Sequence, residues 1–105
     1  MSVPVPGATV ATETSKSDTN SSTTLLAATA NRVGAALENN SPERLYIRLS
    51  ASAASIAAGG YTTSLDPNGG YYETPYGYSG AITGIWSADS TGYVNVTEFT
   101  PVGGS

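Results

Sequence analysis

The sequence contains no histidine and no cysteine, and its one lysine is Lys16. These absences remove the commonest general base, the thiol nucleophile, disulfides and the usual ligands of zinc and copper. Lys16 lies in a polar segment near the N-terminus, which is a poor setting for covalent catalysis. Most enzyme classes are therefore excluded, and we expect no catalytic residue, no metal site and no cofactor.

Paired carboxylates are the catalytic chemistry that these absences leave open. Asp66, Glu73, Asp89 and Glu98 could in principle supply the acid and the base of a glycoside hydrolase. However, Asp66 and Asp89 fall in turn sequences, where Asp favours local backbone hydrogen bonds. Glu73 and Glu98 each fall at a position of a strand pattern that we expect to face solvent. The sequence therefore predicts a protein that is not an enzyme.

Charge is also scarce, since Asp, Glu, Lys and Arg make up 11% of the chain and the net charge is -4. A negative chain offers no electrostatic footprint for the phosphates of nucleic acid, so we expect no direct DNA or RNA binding. Long apolar runs and a secretory signal are likewise missing from the sequence, so we expect no membrane segment and no standard export. The surface is instead rich in uncharged polar residues, which suits burial in protein contacts at low desolvation cost.

Large apolar side chains are few, because 14 of the hydrophobic residues are alanine. Alanine buries little area, so at about 25 cal/mol per Å² the hydrophobic stabilisation of a monomer is modest. Disulfides and structural zinc, the common supports of small domains, are absent. We therefore expect a homo-oligomer.

Short strands dominate the pattern that remains. The clearest is Leu45 to Leu49, in which Leu45, Ile47 and Leu49 alternate with Tyr46 and Arg48. Similar patterns cover residues 22–28, 35–39, 61–65, 71–74, 81–87 and 93–99. Spacings of this kind predict an all-β fold, a small antiparallel β-sandwich or barrel of six or seven short strands.

Two hairpins are predicted within this fold. The first joins the strands on either side of Asp66-Pro67-Asn68-Gly69, a favourable turn sequence. The second joins the strand at 81–87 to the strand at 93–99. Residues 50–58 are rich in alanine but short and uncapped, so they are expected to form a loop or a single helical turn.

The first 21 residues are predicted to form an extended N-terminal arm, ahead of a domain at 22–100 and a flexible tail at 101–105. Apolar and proline side chains suit an extended segment that lies along a partner, namely Val3, Pro4, Val5, Pro6 and Val10. A merely frayed terminus explains the same residues. We include these five among the candidate partner-binding residues.

A tyrosine-rich segment, residues 70–80, supplies the other candidates: Tyr71, Tyr72, Tyr76 and Tyr78. Tyrosine is enriched in interface cores because it is amphipathic and loses little conformational entropy when its side chain is fixed. These rings could therefore form a docking surface. They could also stack on carbohydrate together with Trp86, or complete a small core while their hydroxyls reach water.

Several segments together resemble a group of small tailed-bacteriophage virion proteins. The resemblance covers about residues 21 to 100 and rests mainly on Gly70-Tyr-Tyr-Glu-Thr-Pro75 and Ile82-Thr-Gly-Ile-Trp86. Further parts of the pattern are Ser22-Thr-Thr-Leu-Leu, Ala30-Asn31-Arg32, Leu45-Tyr-Ile-Arg-Leu49 and Val96-Thr97-Glu98. The arm is not covered, and no catalytic residue is implied.

This resemblance implies a structural accessory protein of a phage virion, assembled in the host cytoplasm. The reading we favour is a capsid cement or decoration protein, trimeric, that binds between subunits of the major capsid protein. A neck or tail component is the alternative within the same class. A glycan-binding module for host attachment is the alternative from another class.

Overall fold

The computed structural model describes residues 9–101, and within that range every regular element is a β-strand. There are eight strands rather than the six or seven predicted: β1 (Thr9–Ser17), β2 (Thr23–Leu26), β3 (Gly34–Asn40), β4 (Leu45–Arg48), β5 (Thr63–Leu65), β6 (Gly70–Glu73), β7 (Ile82–Trp86) and β8 (Tyr93–Pro101). The alanine-rich segment at 50–58 is a loop. No helix in the described range could cross a membrane. The all-β prediction is confirmed.

The strands form two antiparallel sheets of four strands each. One sheet, sheet A, has the order β1-β8-β3-β6, and the other, sheet B, has the order β2-β7-β4-β5. The paired strands β1·β8, β2·β7, β3·β6 and β4·β5 make one long antiparallel ribbon that is folded over on itself. This order is that of an eight-stranded jelly roll. It is compatible with a small β-sandwich.

Both sheets contribute to a single core. Sheet A supplies Ala35, Leu37, Val94 and Val96, and sheet B supplies Leu25, Leu45, Ile47, Leu65, Ile82 and Trp86. The alternation predicted for β4 is confirmed, because Leu45 and Ile47 are fully buried while Tyr46 and Arg48 are partly exposed. In β7 the alternation is incomplete, because Thr83 is buried together with Ile82 and Trp86. Tyr72 and Tyr78 pack against the edge of this core.

Neither predicted hairpin exists. β5 pairs with β4 in sheet B whereas β6 pairs with β3 in sheet A, so the turn at 66–69 crosses between sheets. The same holds for β7 and β8, which lie in different sheets. An alternating pattern marks which face of a strand is buried but not which neighbour it pairs with. The turn residues themselves behave as expected, since Asn68 and Gly69 both have positive φ, 60° and 123°.

The segment predicted as an arm divides at the start of β1. Residues 1–8, which include Val3, Pro4, Val5 and Pro6, lie outside the described residues. Thr9–Ser17 form β1, which runs along β8 for its whole length, from Thr9 opposite Pro101 to Ser17 opposite Tyr93. The predicted tail after Pro101 also lies outside the described range. The chain therefore enters and leaves the described fold side by side, at one end of the β1/β8 ribbon.

Candidate partner-binding surfaces

β1 is an unusual strand because it is exposed on both faces. Every side chain from Val10 to Ser17 is exposed, and Val10 is 45% exposed. In β8, by contrast, Val94 and Val96 are fully buried. Val94 and Val96 are opposite Lys16 and Thr14 on β1, so these two β1 side chains point to the same side of sheet A as the core. They are exposed because β1 extends past the core and no strand of sheet B covers it. β1 is therefore held mainly by its backbone ladder to β8.

The direction of each backbone group in β1 follows from one hydrogen bond. The Asp18 amide donates to the Gly92 carbonyl at 3.0 Å, one step beyond the last pair of the ladder. Hydrogen-bonded and non-hydrogen-bonded pairs alternate along antiparallel strands, so the even-numbered residues of β1 bond to β8. The backbone groups that point away from β8, at the free edge, belong to Ala11, Glu13, Ser15 and Ser17.

This free edge is long compared with the others. β1 has nine residues, whereas the other edge strands, β6, β2 and β5, have four, four and three. Short edges are a common protection against pairing with other chains, and charged residues on the edge are another. β1 carries one Glu and one Lys, so its edge has little of either protection.

Asp18 fixes the C-terminal end of β1 to the domain. Its Oδ2 atom accepts hydrogen bonds from the Ser41 hydroxyl at 2.7 Å and from the Gly92 amide at 3.0 Å. Its Oδ1 atom accepts from the Ser90 amide at 2.9 Å. Asp18 is 7% exposed and Ser41 is fully buried. The Asp18 carboxylate thus joins the end of β1 to the β3–β4 and β7–β8 loops. The sequence did not indicate this role, because Asp18 lies in a run of polar residues that all look alike.

The four candidate tyrosines do not form one surface. Tyr71 and Tyr76 are 60% and 90% exposed, whereas Tyr72 and Tyr78 are partly buried against the core. The Tyr78 hydroxyl donates to the Ala81 carbonyl at 2.6 Å. Burial raises the pKa of Tyr78, while the nearby Arg32 guanidinium opposes the rise. Of the proposed docking residues in this segment, Tyr71 and Tyr76 are therefore the ones available to a partner.

A shallow groove of about 320 Å³ crosses the outer face of sheet A. Its lining includes Glu13 on β1, Thr97 and Asn95 on β8, Glu38 on β3 and Tyr71 on β6. The Tyr71 hydroxyl donates to Glu73 at 3.0 Å; partial desolvation, this hydrogen bond and the charges of Glu73 and Glu38 raise the Tyr71 pKa. Sequence reasoning missed Glu13, Glu38 and Asn95, because only the strand order places them on one face.

Trp86 cannot belong to a carbohydrate platform. It is fully buried, and its indole Nε1 donates to the Asn39 side-chain oxygen at 3.0 Å. The alternative in which Trp86 stacks on a sugar together with the tyrosines is therefore excluded, since the ring is part of the core.

The carboxylates considered for catalysis are dispersed in separate contacts. Glu98 was expected to face solvent, but its side chain is 22% exposed and pairs with the buried Arg32 guanidinium at 2.9 Å. Asp66 pairs with Arg44 at 3.0 Å. Asp89 accepts from the Asn20 amide at 2.7 Å. Within residues 9–101, no group of three or more acidic side chains is placed to hold a metal ion.

Comparisons with protein families, curated proteins and solved structures found no match. The resemblance to phage virion proteins therefore stays a prediction from the residues alone. The fold does not supply the function either, because jelly rolls serve many unrelated roles. The function has to be argued from the surfaces of the molecule.

Proposed function

We propose that this protein is a non-enzymatic structural component of a phage virion, a cement or decoration protein that binds between major capsid protein subunits. In this proposal it is a small β-sandwich, and the residues that precede β1 attach it to the capsid. The observation that carries the proposal is the end of the β1/β8 ribbon. There the chain leaves the described fold beside Pro101, next to the exposed side chain of Val10.

Extended segments suit this kind of attachment. Main-chain hydrogen bonds to a sheet edge on the partner give affinity, and alternate side chains give specificity. Val3 and Val5 have the spacing of one face of such a segment. Because a capsid presents many identical sites, weak contacts of this kind combine into tight overall binding when copies are linked.

The jelly-roll order adds support by analogy, since viral capsid domains commonly use it. The outer surface adds physical support. Tyr71 and Tyr76 are exposed rings beside uncharged polar residues, and such side chains are enriched in protein interfaces. A surface poor in charge also loses little solvation when a partner covers it.

Binding to expanded capsids tests the proposal directly. We expect the full chain to bind at hundreds of copies and to raise the melting temperature of the capsid. Deleting residues 1–8 should weaken that binding while leaving the fold intact, because the deletion ends before β1 begins. A longer deletion through residue 20 is a poor test, since it removes β1 and the buried Asp18 as well.

The matched control is the unfolding midpoint of the truncated protein, followed through the buried Trp86. Equal midpoints combined with unchanged capsid binding would refute attachment through the N-terminal residues. A position at the neck or the tail in a virion map would instead favour the alternative within the same class.

A glycan-binding module remains a second candidate, favoured by the groove on sheet A. An exposed Tyr71 ring beside Glu13, Asn95 and Thr97 offers one stacking face and several polar partners. Saturable saccharide binding that Tyr71→Ala abolishes and Asn20→Ala leaves intact would establish it. If no saccharide of a panel bound at millimolar concentration, the glycan-binding function would be excluded.

A further inference from the structure

We infer that the free edge of β1 pairs with the β1 of a second copy, in an antiparallel ladder about a twofold axis. Only an extended strand can satisfy a row of alternating amides and carbonyls such as those at Ala11, Glu13, Ser15 and Ser17. The pair would join two copies of sheet A into one continuous sheet. This arrangement is a dimer, not the trimer that the resemblance implies.

The charge of β1 itself does not oppose a second copy at this edge. Two molecules that each carry a net charge of -4 repel one another. β1 holds one carboxylate and one amine, Glu13 and Lys16, so its own charges cancel. The remaining charged side chains lie elsewhere on the domain. Two copies can therefore pair along the edge of β1 without adding electrostatic repulsion at the contact.

The side chains also limit the register of the ladder. A twofold axis through Glu13 would place two carboxylates directly opposite each other, which is unfavourable. An axis through Thr14 avoids this, because Glu13 then faces Ser15 and Lys16 faces Thr12. Thr14 faces its own copy in that register, and threonine pairs across strands are favourable. The ladder runs from Ala11 to Ser17.

The inner face of β1 gains cover in the same dimer. Thr12, Thr14 and Lys16 have no second layer beneath them in the single chain. Beside a second β1 they would line the floor of a channel between the two domains. The contact is small compared with the roughly 800 Å² per partner of a standard interface, so we expect dissociation in dilute solution.

A proline at the free edge tests the pairing. Ser15→Pro removes an amide that points away from β8, and so it leaves the β1·β8 ladder intact. Analytical ultracentrifugation of the full chain should show a concentration-dependent dimer. Two hydrogen bonds per dimer are lost in the variant, so its dissociation constant should rise at least about tenfold. Ser15→Ala keeps the amide and should dimerise like the original chain, and an unchanged Trp86 emission would show that each variant folds.

Single cysteines test the register, since the chain has none of its own. Thr14→Cys places two thiols across the proposed axis, at a separation that suits a disulfide. Ala11→Cys places them far apart and is the control. We expect mild oxidation to cross-link the first variant and not the second, and Ser15→Pro to prevent the cross-link.

A chain that stays monomeric at millimolar concentration would overturn the inference, as would equal dimerisation of Ser15→Pro and the original chain. Preferential cross-linking of Ala11→Cys would overturn the register. The inference does not depend on the proposed function. A dimer that fails to bind capsids would contradict that function alone, and a monomer that binds them would contradict the dimer alone.

Discussion

Asn39 shows how much of this fold depends on single polar side chains. It is fully buried on β3 and links the two sheets, because its Oδ1 atom accepts the indole hydrogen of Trp86 on β7. Its Nδ2 group donates to the carbonyls of Glu43 at 2.9 Å and Asp66 at 3.1 Å. One amide thus fixes the core tryptophan and two loops.

Replacing Asn39 with alanine should therefore destabilise the protein. The change leaves the Trp86 indole and two carbonyls without partners, at an expected cost of about 2–4 kcal/mol in the free energy of unfolding. Urea unfolding followed by Trp86 fluorescence measures this loss. Asn40→Ala is the matched control, since the Asn40 side chain bonds to Glu38 at the surface, and it should cost less than about 0.5 kcal/mol. Equal effects of the two changes would contradict the role of Asn39.

Arg32 is a second buried polar side chain with three different partners. Its guanidinium pairs with Glu98 and donates to the carbonyls of Gly80, at 2.6 Å, and Ala27. It therefore holds the β2–β3 and β6–β7 loops against β8. The geometry needs the planar fork of arginine, which lysine cannot reproduce.

Arg32→Lys should lower the free energy of unfolding by about 2–3 kcal/mol despite the conserved charge, because at least one carbonyl loses its donor. Thermal unfolding of the variant is the measurement. Arg48→Lys serves as the control, since Arg48 contacts the Ala53 carbonyl at the surface. If both lysine variants melted at the same temperature as the original, the buried contacts of Arg32 would be energetically unimportant.

For the strands, the alternation of apolar and polar residues predicted where each strand lies in the sequence but not which strand it pairs with. The sequence predicted the positions of β3, β4, β7 and β8 and the buried face of β4, because burial on one face leaves a period of two. It did not show that sequential strands mostly lie in opposite sheets, since cross-sheet turns and hairpin turns use the same residues. It also did not show the groove on sheet A, which requires β1, β8, β3 and β6 to lie side by side.

β1 was predicted only as an extended segment, because its exposed side chains leave no buried face to produce a pattern. Its order comes from the ladder to β8 and from Asp18. Asp18→Ala should therefore speed amide hydrogen exchange along β1 by about tenfold or more, while amides of the core strands change much less. Hydrogen exchange read by NMR tests this. Asp89→Ala removes an exposed carboxylate and should leave β1 protected; uniform exchange across the fold in Asp18→Ala would show a global effect instead.

For the whole molecule, the raised pKa of Tyr78 predicts a loss of stability at alkaline pH. Burial raises the pKa of Tyr78 above its ordinary value of 10.0, so the folded state holds this proton more tightly than the unfolded state. The contribution of Tyr78 to the free energy of unfolding is fully present below pH 10 and is lost as the pH rises through the pKa of Tyr78 in the folded state. Tyr71 shifts in the same direction but is largely exposed, so it should matter less.

We therefore expect the free energy of unfolding to fall as the pH rises above 10.0, and to fall less steeply in Tyr78→Phe. Chemical unfolding at a series of alkaline pH values measures the slope. Tyr76→Phe is the control, because that ring is 90% exposed and should not alter the slope. A steeper decline in Tyr78→Phe than in the original chain would contradict the assignment.

The pairing of β1 with β8 also has a consequence for synthesis of the chain. β1 is synthesised well before its partner strand at 93–101, which lies at the other end of the described fold. Pairing of such distant strands is slow because the loop between them must close first. Until β8 has been made, the nascent chain therefore carries a strand with both edges unpaired, a species prone to aggregate, so the β1/β8 ribbon cannot form before residues 93–101 leave the ribosome.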